Sequence, residues 1–287
     1  MNRRKAIATL AAGTGATLVR PLRSYSAEPM LSPPRARIRQ SVCRWPYQGI
    51  ALDELCRQAK AIGLESVELL TENEWPVATR LGLTCAMAMG PTTIPVGFNR
   101  PDQHDRIVAE AARLLPLIAQ AKLPNMIVFS GNRAGLSDAE GLEHCTRGLL
   151  RIAPLAERLG VTICMELLNS KVDHKDYQCD HTLWGAELVR RVGSPRFKLL
   201  YDIYHMQIME GDVIRTIREN FSAIGHFHTG GVPGRHELDG SQELQYPAIM
   251  TAIADLGYTG FVGQEFIPSA GRDPIASLKH GFGVCNV

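Results

Sequence analysis

The chain lacks the short motifs that mark several common protein classes. Its seven cysteines are scattered and form no Cys-x-x-Cys pair, which excludes a zinc ribbon and a thioredoxin-like redox site. No Gly-x-Gly-x-x-Gly follows the first apolar segment, which argues against a dinucleotide-binding fold. Beyond the N-terminus, no segment approaches the roughly 20 apolar residues of a membrane helix. We therefore expect no membrane contact from the mature protein.

A surplus of positive charge is also missing once the N-terminus is set aside. The 287 residues carry 31 basic and 29 acidic side chains, a net charge of +2. Five basic side chains precede the first acidic residue, Glu28, which leaves 26 basic against 29 acidic. No basic surface that would hold a phosphate backbone is predicted, so nucleic acid is not an expected partner. The five are Arg3, Arg4, Lys5, Arg20 and Arg23.

The N-terminal 27 residues have the composition of a targeting segment. Arg3 and Arg4 precede a mildly apolar run, Ala6–Val19, and small residues at Ser24–Ala27 would admit a signal peptidase. The segment resembles a twin-arginine export signal, which implies a periplasmic or exported protein. The alternative is a frayed basic N-terminus on a cytoplasmic protein. We predict a signal at 1–27 and one folded domain at 28–287.

Apolar, β-branched segments alternate with helical patterns eight times, and 45% of the residues are hydrophobic. Alternation of this kind is typical of a parallel sheet covered by helices. Eight units favour closure, so the predicted fold is a single-domain α/β (β/α)8 TIM barrel rather than an open sheet. The predicted strands are Ile38–Cys43, Ser66–Leu70, Leu83–Met87, Met126–Ser130, Val161–Leu167, Phe197–Asp202, Ala223–His228 and Phe261–Phe266.

Six segments between the strands have helical spacing of apolar residues, and several end at a glycine suited to a left-handed cap. Pro116 is expected to kink or break the second of them. The predicted helices are Leu52–Ile62, Asp102–Lys122, Glu140–Leu159, Thr182–Val192, Asp212–Asn220 and Leu244–Leu256, and the capping glycines are Gly63, Gly160, Gly193 and Gly257.

Four successive strands end in a side chain that can bind a metal: Glu166, Asp202, His228 and Glu265. In a barrel these ends meet at the face where active sites form. Three carboxylates cannot converge uncompensated, because like charges and desolvation both penalise them. Oxygen-rich ligation with one nitrogen predicts one divalent cation, Mn²⁺ or Mg²⁺ with Co²⁺ as a further candidate, rather than structural zinc. His226 lies deeper and is expected to support the site or the core.

These strand ends resemble the xylose isomerase-like barrel superfamily, which includes hydroxypyruvate isomerases, ketose 3-epimerases and inosose dehydratases. The resemblance covers nearly all of the chain after residue 27. Its most specific stretches are residues 165–169 (Met-Glu-Leu-Leu-Asn), 202–205 (Asp-Ile-Tyr-His) and 228–237 (His-Thr-Gly-Gly-Val-Pro-Gly-Arg-His-Glu). Together with Tyr246-Pro247 and Gln264-Glu265-Phe266, the last stretch looks most like hydroxypyruvate isomerase.

The resemblance implies chemistry through an enediolate, with Glu166 and Glu265 as general base and acid and with Asp202 and His228 as metal ligands only. It also implies that His205 contacts substrate. The fork of Arg235, after a glycine-rich turn, suits a substrate carboxylate or paired hydroxyls. By position alone, Glu68 at the end of strand two and Trp45 after strand one are further candidates for substrate contact.

The leading hypothesis is an isomerase that interconverts hydroxypyruvate and tartronate semialdehyde, a small hydroxy-keto acid pair. His228 is the epimerase-like ligand, so a ketose 3-epimerase or a keto-glycoside lyase or dehydratase stays open. The segment Leu167–Asp173, however, offers no further glutamate of the kind that epimerases use. An alternative of another class is an exported sugar-binding barrel without catalysis. Pairing into a homodimer is an expectation from the resemblance.

Overall fold

The computed structural model describes residues 38–287, so the predicted signal at 1–27 lies outside the described residues. Within this range the chain forms one α/β domain whose parallel strands are surrounded by helices. The strands are β1 Arg39–Cys43, β2 Ser66–Glu68, β3 Asn125–Val128, β4 Thr162–Glu166, β5 Phe197–Asp202, β6 Ile224–Thr229 and β7 Phe261–Gln264.

The helices follow the strands along the chain, and none within residues 38–287 is long and apolar enough to cross a membrane. Three further segments form short 3-10 turns at Trp45–Tyr47, Pro101–Gln103 and Phe221–Ala223. The α-helices are α1 Leu52–Ile62, α2 Trp75–Arg80, α3 His104–Gln120, α4 Asp138–Leu150, α5 Ala153–Leu159, α6 Thr182–Val192, α7 Ile203–Met209, α8 Val213–Asn220, α9 Tyr246–Asp255 and α10 Pro274–Cys285.

The sheet runs in the order β2-β1-β7-β6-β5-β4-β3, and the segment Thr84–Ala88 closes the ring between β2 and β3. Parallel bridges join Ser66 to Thr84 and Ala88 to Met126, and the Leu69 amide donates to the Met87 carbonyl at 2.7 Å. The predicted (β/α)8 barrel is thus confirmed, with seven strands and one bridging segment around the ring.

The third predicted strand, Leu83–Met87, is wrong as a continuous strand and forms isolated bridges instead. Side chains have replaced the backbone ladder at its centre. The Ala86 amide donates to the Ser66 hydroxyl, and the Asn125 side chain donates to the Ala86 carbonyl, both at 2.8 Å. Local side-chain bonds of this kind compete with strand pairing.

Two helix predictions also need correction. The segment 140–159 forms two helices, α4 and α5, because Pro154 stands in the first turn of α5 and has no amide proton to continue α4. Conversely, Pro116 lies inside a continuous α3. The helix tolerates it near its C-terminal end, where the buried residues Leu115 and Ile118 hold that turn against the barrel.

Candidate functional site

The four predicted ligands converge at the carboxyl ends of neighbouring strands. Glu166 and Asp202 are the last residues of β4 and β5, His228 lies near the end of β6, and Glu265 follows β7. One ligand atom from each lies within 4.8 Å of the others, and all four side chains are buried. Parallel register brings the strand ends to one level, since Asp202 pairs with His228 and Glu166 with Leu200.

Two cationic side chains partly compensate the three carboxylates. The Nδ1 atom of His228 lies 2.6 Å from Glu265 Oε2 and 3.3 Å from Glu166 Oε1. The Nη2 atom of Arg235 lies 2.6 Å from Asp202 Oδ2 and also donates to Glu265 Oε2. The centre is therefore a compact charge cluster in which every carboxylate shares its positive partner.

The pKa values of the carboxyl groups are pushed apart. Burial raises the pKa of Glu166 to about 7, and the Glu265 charge adds to the effect. Burial likewise raises the pKa of Asp202, against the opposing charge of Arg235. Burial also disfavours the charged form of Glu265, but the charges of His228 and Arg235 outweigh it and hold its pKa well below the usual range. Three carboxyl groups thus face two cationic side chains, and Glu166 and Asp202 are the two whose charged form burial disfavours.

The donor set fits a divalent cation. Three carboxylate oxygens and one imidazole nitrogen converge within 4.8 Å, and carboxylates this close together penalise one another's charge unless a cation lies among them. Hard oxygen ligands with one nitrogen suit Mn²⁺, Mg²⁺ or Co²⁺, whereas a structural zinc site favours thiolates. Cys43 approaches His228 only from the far side of the ring, with its Sγ 3.7 Å from Nε2.

Glu68 lies beneath this cluster and not at the substrate, contrary to our expectation. Its side chain is fully buried, and it is not among the residues that line the cavity above. The Glu68 Oε1 atom accepts hydrogen bonds from His228 Nε2 at 2.9 Å and from His226 Nε2 at 3.1 Å. This carboxylate therefore holds the His228 ring with Nδ1 directed toward Glu166 and Glu265.

Burial opposes the charge on Glu68, yet His226 and His228 together lower its pKa to about 2. Gly263 makes the arrangement sterically feasible, because a Cβ atom at this position would lie 2.0 Å from Glu68 Oε1. His226 supports the site from below, as its depth in the strand predicts, and it does not belong to the ligand group.

Three further predicted residues surround the upper side of the cluster. Trp45 donates from Nε1 to Glu265 Oε1 at 2.6 Å and remains 40% exposed. Arg235 is buried and contacts His205, with 2.7 Å between Nη1 and Nε2. Its backbone φ of 60° is left-handed, a strained conformation that turns the side chain back over the strand ends.

A cavity of about 1020 Å³ opens above the cluster and has two chemically different sides. On the polar half, Glu166 and Glu265 reach the cavity while Asp202 and His228 stay below it. We define the polar half as Trp45, Glu166, His205, Arg235 and Glu265, and the apolar half as Leu69, Met89, Ile94, Ile127 and Phe129.

The apolar half was not anticipated from the sequence. It is built by the carboxyl ends of β2 and β3 and by the chain that follows Thr84–Ala88. In the structure, Leu69, Met89 and Ile94 are only partly buried, which distinguishes them from core residues. The sequence alone offers no such distinction. Hydrophobic periodicity reports burial of either kind in the same way.

Comparison with known proteins agrees with this geometry. Residues 56–282 match the model of a family described as xylose isomerase-like TIM barrel. A 2-oxo-tetronate isomerase from Pectobacterium atrosepticum is 31% identical over 226 residues, which cover 74% of this chain and 85% of that protein. The chain belongs to the xylose isomerase-like TIM barrel family. The family resemblance expected from the strand ends is thereby confirmed.

Other proteins are similar to this chain over a shorter stretch or at lower identity. A 2-oxo-tetronate isomerase from Cupriavidus necator is 38% identical over 119 residues, so the match spans 42% of this chain and only 45% of that protein. The crystal structure of an AP endonuclease, family 2, from Brucella melitensis covers 84% of this chain and 97% of its own, with a TM-score of 0.73 and 23% identity. The latter supports the fold alone.

Proposed function

We propose that this protein is a metal-dependent isomerase that acts through an enediolate, with hydroxypyruvate and tartronate semialdehyde as the best substrate pair. The observation that carries the proposal is the position of Glu166 and Glu265, which belong to the ligand group and also line the cavity. Relatives named 2-oxo-tetronate isomerase support the reaction class.

Glu166, Asp202, His228 and Glu265 would hold one divalent cation, Mn²⁺ or Mg²⁺, or Co²⁺. When bound, the cation supplies Lewis acidity that polarises a substrate carbonyl and acidifies the adjacent C–H bond. Asp202 and His228 lie below the cavity, so their contribution is to hold the ion. Glu68 keeps the His228 ring in the orientation that this requires.

The two glutamates move the proton. One carboxylate removes a proton from C3 of hydroxypyruvate, and the other returns a proton to C2, while the hydroxyl proton passes from O3 to O2. The product, tartronate semialdehyde, has the same atoms with an aldehyde at C3 and a hydroxyl at C2. In the reverse reaction the two glutamates exchange roles.

Arg235 and His205 would orient the substrate. The Arg235 fork faces the cavity beside Glu265 and suits a bidentate contact to the substrate carboxylate. His205 lines the same wall and would donate to the oxygen on which charge develops. Trp45, exposed at the rim, would cover the bound substrate.

A second candidate is favoured by the size of the cavity. Its volume of about 1020 Å³ lies just above the range of roughly 300–1,000 Å³ that is usual for ligand pockets and exceeds what a three-carbon acid fills. A ketose 3-epimerase, or a lyase or dehydratase acting on a keto-glycoside, would use the same centre with a larger substrate. The apolar half would then bind the part of the substrate that does not react.

The decisive experiment is incorporation of solvent deuterium with and without Mn²⁺. The panel should contain hydroxypyruvate, free ketoses and 3-keto-glycosides, and the metal content of the purified protein should be measured in parallel. We expect manganese-dependent exchange at the carbon beside the carbonyl. Exchange in hydroxypyruvate together with the aldehyde product supports the isomerase, whereas exchange in a larger keto-sugar supports the second candidate. No exchange in any compound contradicts both and favours a non-catalytic sugar-binding barrel.

Export by the twin-arginine route is a further part of the proposal. It is supported by Arg3 and Arg4 ahead of an apolar run, and by the burial of all seven cysteines as free thiols, which suits a protein that folds before transport. The test is cell fractionation of the full chain in a bacterium with an intact export system. The Arg3→Lys/Arg4→Lys double variant should stay in the cytoplasm, and equal distribution of both forms would refute export by the twin-arginine route.

A further inference from the structure

The chain that leaves strand β1 emerges beside Glu265. Val42, near the end of β1, pairs with Gln264, which is the last residue of β7 and directly precedes Glu265. The short 3-10 turn Trp45–Tyr47 begins two residues after β1. Because β1 and β7 are neighbours in the sheet, this turn lies next to one of the four ligand candidates.

The backbone on both sides of Trp45 is fixed. The Arg44 amide donates to the Glu68 carbonyl at 3.0 Å, and the Arg44 side chain donates from Nη1 to the Tyr47 carbonyl at 2.6 Å. Tyr47 is buried, and its ring packs edge-on against that of Phe266, with 6.5 Å between the ring centroids. The indole of Trp45 therefore has a defined direction, although the residue is exposed at the rim of the cavity.

The two carboxylate oxygens of Glu265 have different partners. Oε2 lies 2.6 Å from His228 Nδ1 and accepts from Arg235 Nη2. Oε1 accepts a hydrogen bond from Trp45 Nε1 at 2.6 Å. The terminal torsion of a glutamate is broad, so a carboxylate held by only one oxygen can rotate. Because Trp45 holds the second oxygen, the Glu265 carboxylate has one defined orientation.

We propose that Trp45 is a positioning residue that holds Glu265 by Oε1, so that Oε2 stays directed at the metal site. The proposal rests on the metal site of the proposed function and goes beyond the cover over the substrate described above. An indole N–H uses only one lone pair of Oε1, so this oxygen can still face a substrate in the cavity that Glu265 lines. Trp45 would then do for Glu265 what Glu68 does for His228.

The test compares two identical substitutions. Trp45→Phe removes the N–H donor and keeps an aromatic ring at the rim, near the Arg235 guanidinium, whose Cζ lies 5.8 Å from the indole ring centre. Trp184→Phe is the matched control. It also removes one indole hydrogen bond, from Nε1 to the Asp138 carbonyl at 3.1 Å, but in a buried side chain that is not among the residues lining the cavity. Circular dichroism checks that both variants fold.

The first readout is NMR of the metal-free full chain labelled with 15N-tryptophan. The chain has three tryptophans and should give three indole signals, with that of Trp45 assigned by its loss in Trp45→Phe. We expect Glu265→Gln to shift the Trp45 signal and to leave those of Trp75 and Trp184 in place. Three signals that all stay in place in Glu265→Gln overturn the proposal, whether or not Trp45→Phe folds.

The second readout is the affinity for Mn²⁺, measured by calorimetry. Loss of a partner that orients a ligand side chain weakens metal binding by roughly 10–100-fold. We expect about tenfold for Trp45→Phe, because water at the rim replaces part of the contact. Trp184→Phe should stay within about twofold of the wild type. Equal affinity of folded Trp45→Phe and the wild type overturns the proposal, and so does an equal loss in both variants. A wild type that binds no Mn²⁺ overturns it together with the metal site.

The third readout is kinetic and applies once a substrate is known. The kcat of Trp45→Phe should fall roughly tenfold relative to Trp184→Phe, while KM stays within about twofold because the phenyl ring still covers the substrate. A loss confined to KM would leave Trp45 as a cover only and overturns the proposal. If the wild type binds Mn²⁺ but turns over no compound of the panel, the isomerase proposal fails, while the NMR and affinity results still decide the role of Trp45.

Discussion

The two halves of the cavity are built differently, although one barrel supplies both. The polar half stands on β4–β7, where the strands pair in parallel ladders that have one register shift, between Leu199 and Leu200. The apolar half stands on β2, Thr84–Ala88 and β3, where bridges and side-chain bonds replace part of the ladder. Polar groups in the first half also hold one another, as Glu265 shows through its contacts to Trp45 and His228.

Under the proposed function, this difference would give the two halves separate tasks. Proton transfer and metal binding need side chains held within a fraction of an ångström, which regular strands and mutual hydrogen bonds provide. Shape selection in an apolar half tolerates repacking. We therefore expect changes in the polar half to remove chemistry and changes in the apolar half to alter which substrate is accepted.

Removal of the metal should give the largest effect, because it disables the polar half as a whole. Dialysis against a chelator is expected to abolish turnover, and Mn²⁺ at about 100 times its Kd should raise Tm by roughly 5–10 °C over the metal-free protein. Asp202→Asn should lose this rise, whereas Ile94→Ala in the apolar half should keep it. An equal rise in both variants would show that the ion binds elsewhere.

Glu166→Gln should come next, with kcat reduced by roughly a thousandfold, because the change removes both a ligand and a proton carrier. The fold should persist, since the glutamine is nearly isosteric. Steady-state kinetics and circular dichroism check the two statements. The matched control is Glu65→Gln at the amino end of β2, an exposed partner of Arg39, for which kcat should stay within about twofold. Comparable losses of kcat in Glu166→Gln and Glu65→Gln would refute a specific role of Glu166 in the reaction.

The convergence of the four metal-ligand candidates could be predicted from the sequence, because it depends only on strand alternation and on where the strands end. Glu166, Asp202, His228 and Glu265 sit at equivalent positions of four neighbouring strands, so their convergence follows once the sheet is parallel. Asn169 lies beyond the strand in a loop, where its partner His205 is 36 residues away in sequence and only coordinates reveal the contact.

Glu68 and the apolar half show where such reasoning ends. Strand alternation indicates which face of β2 a side chain occupies. It does not indicate that Glu68 fits beneath His228 because Gly263 has no side chain. Met89 and Ile94 look like core residues, because an apolar wall and an apolar core have the same composition. Closure by side-chain bonds at Ala86 is likewise invisible to strand propensity.

Glu68→Gln should have an intermediate effect on metal binding. It tests whether Glu68, which lies beneath the ligand group, contributes to the proposed metal site. Replacing the charged partner of His228 Nε2 is expected to weaken metal affinity by roughly 10–100-fold. Titration of the metal-free variant with Mn²⁺, followed by calorimetry, measures this. Unchanged affinity would mean that the other contacts of His228 suffice to orient its ring.

The charge on Glu68 should also make the free energy of unfolding depend on pH in the acidic range. The pKa of Glu68 is about 2 in the folded chain against a usual 4.5, because its two histidine partners outweigh burial. Its charge therefore stabilises the fold above about pH 4.5, and this contribution is lost as the pH falls from about 4.5 toward 2. The difference in unfolding free energy between wild type and Glu68→Gln should shrink across that window. A constant difference, measured by urea titration at several pH values, would contradict the pairing.

Ile94→Ala should give the smallest effect and the most selective one. Its side chain faces the apolar half and is only partly buried, so the loss is expected to be about three- to tenfold in KM, near the low end of the cost of lost apolar contact in a pocket. That loss should appear with a keto-sugar large enough to reach the apolar half and be absent with hydroxypyruvate, while kcat stays the same for both. Because Glu166 and Glu265 do not contact this wall through any hydrogen bond that the described residues make, a fall in kcat would show that the two halves are mechanically coupled.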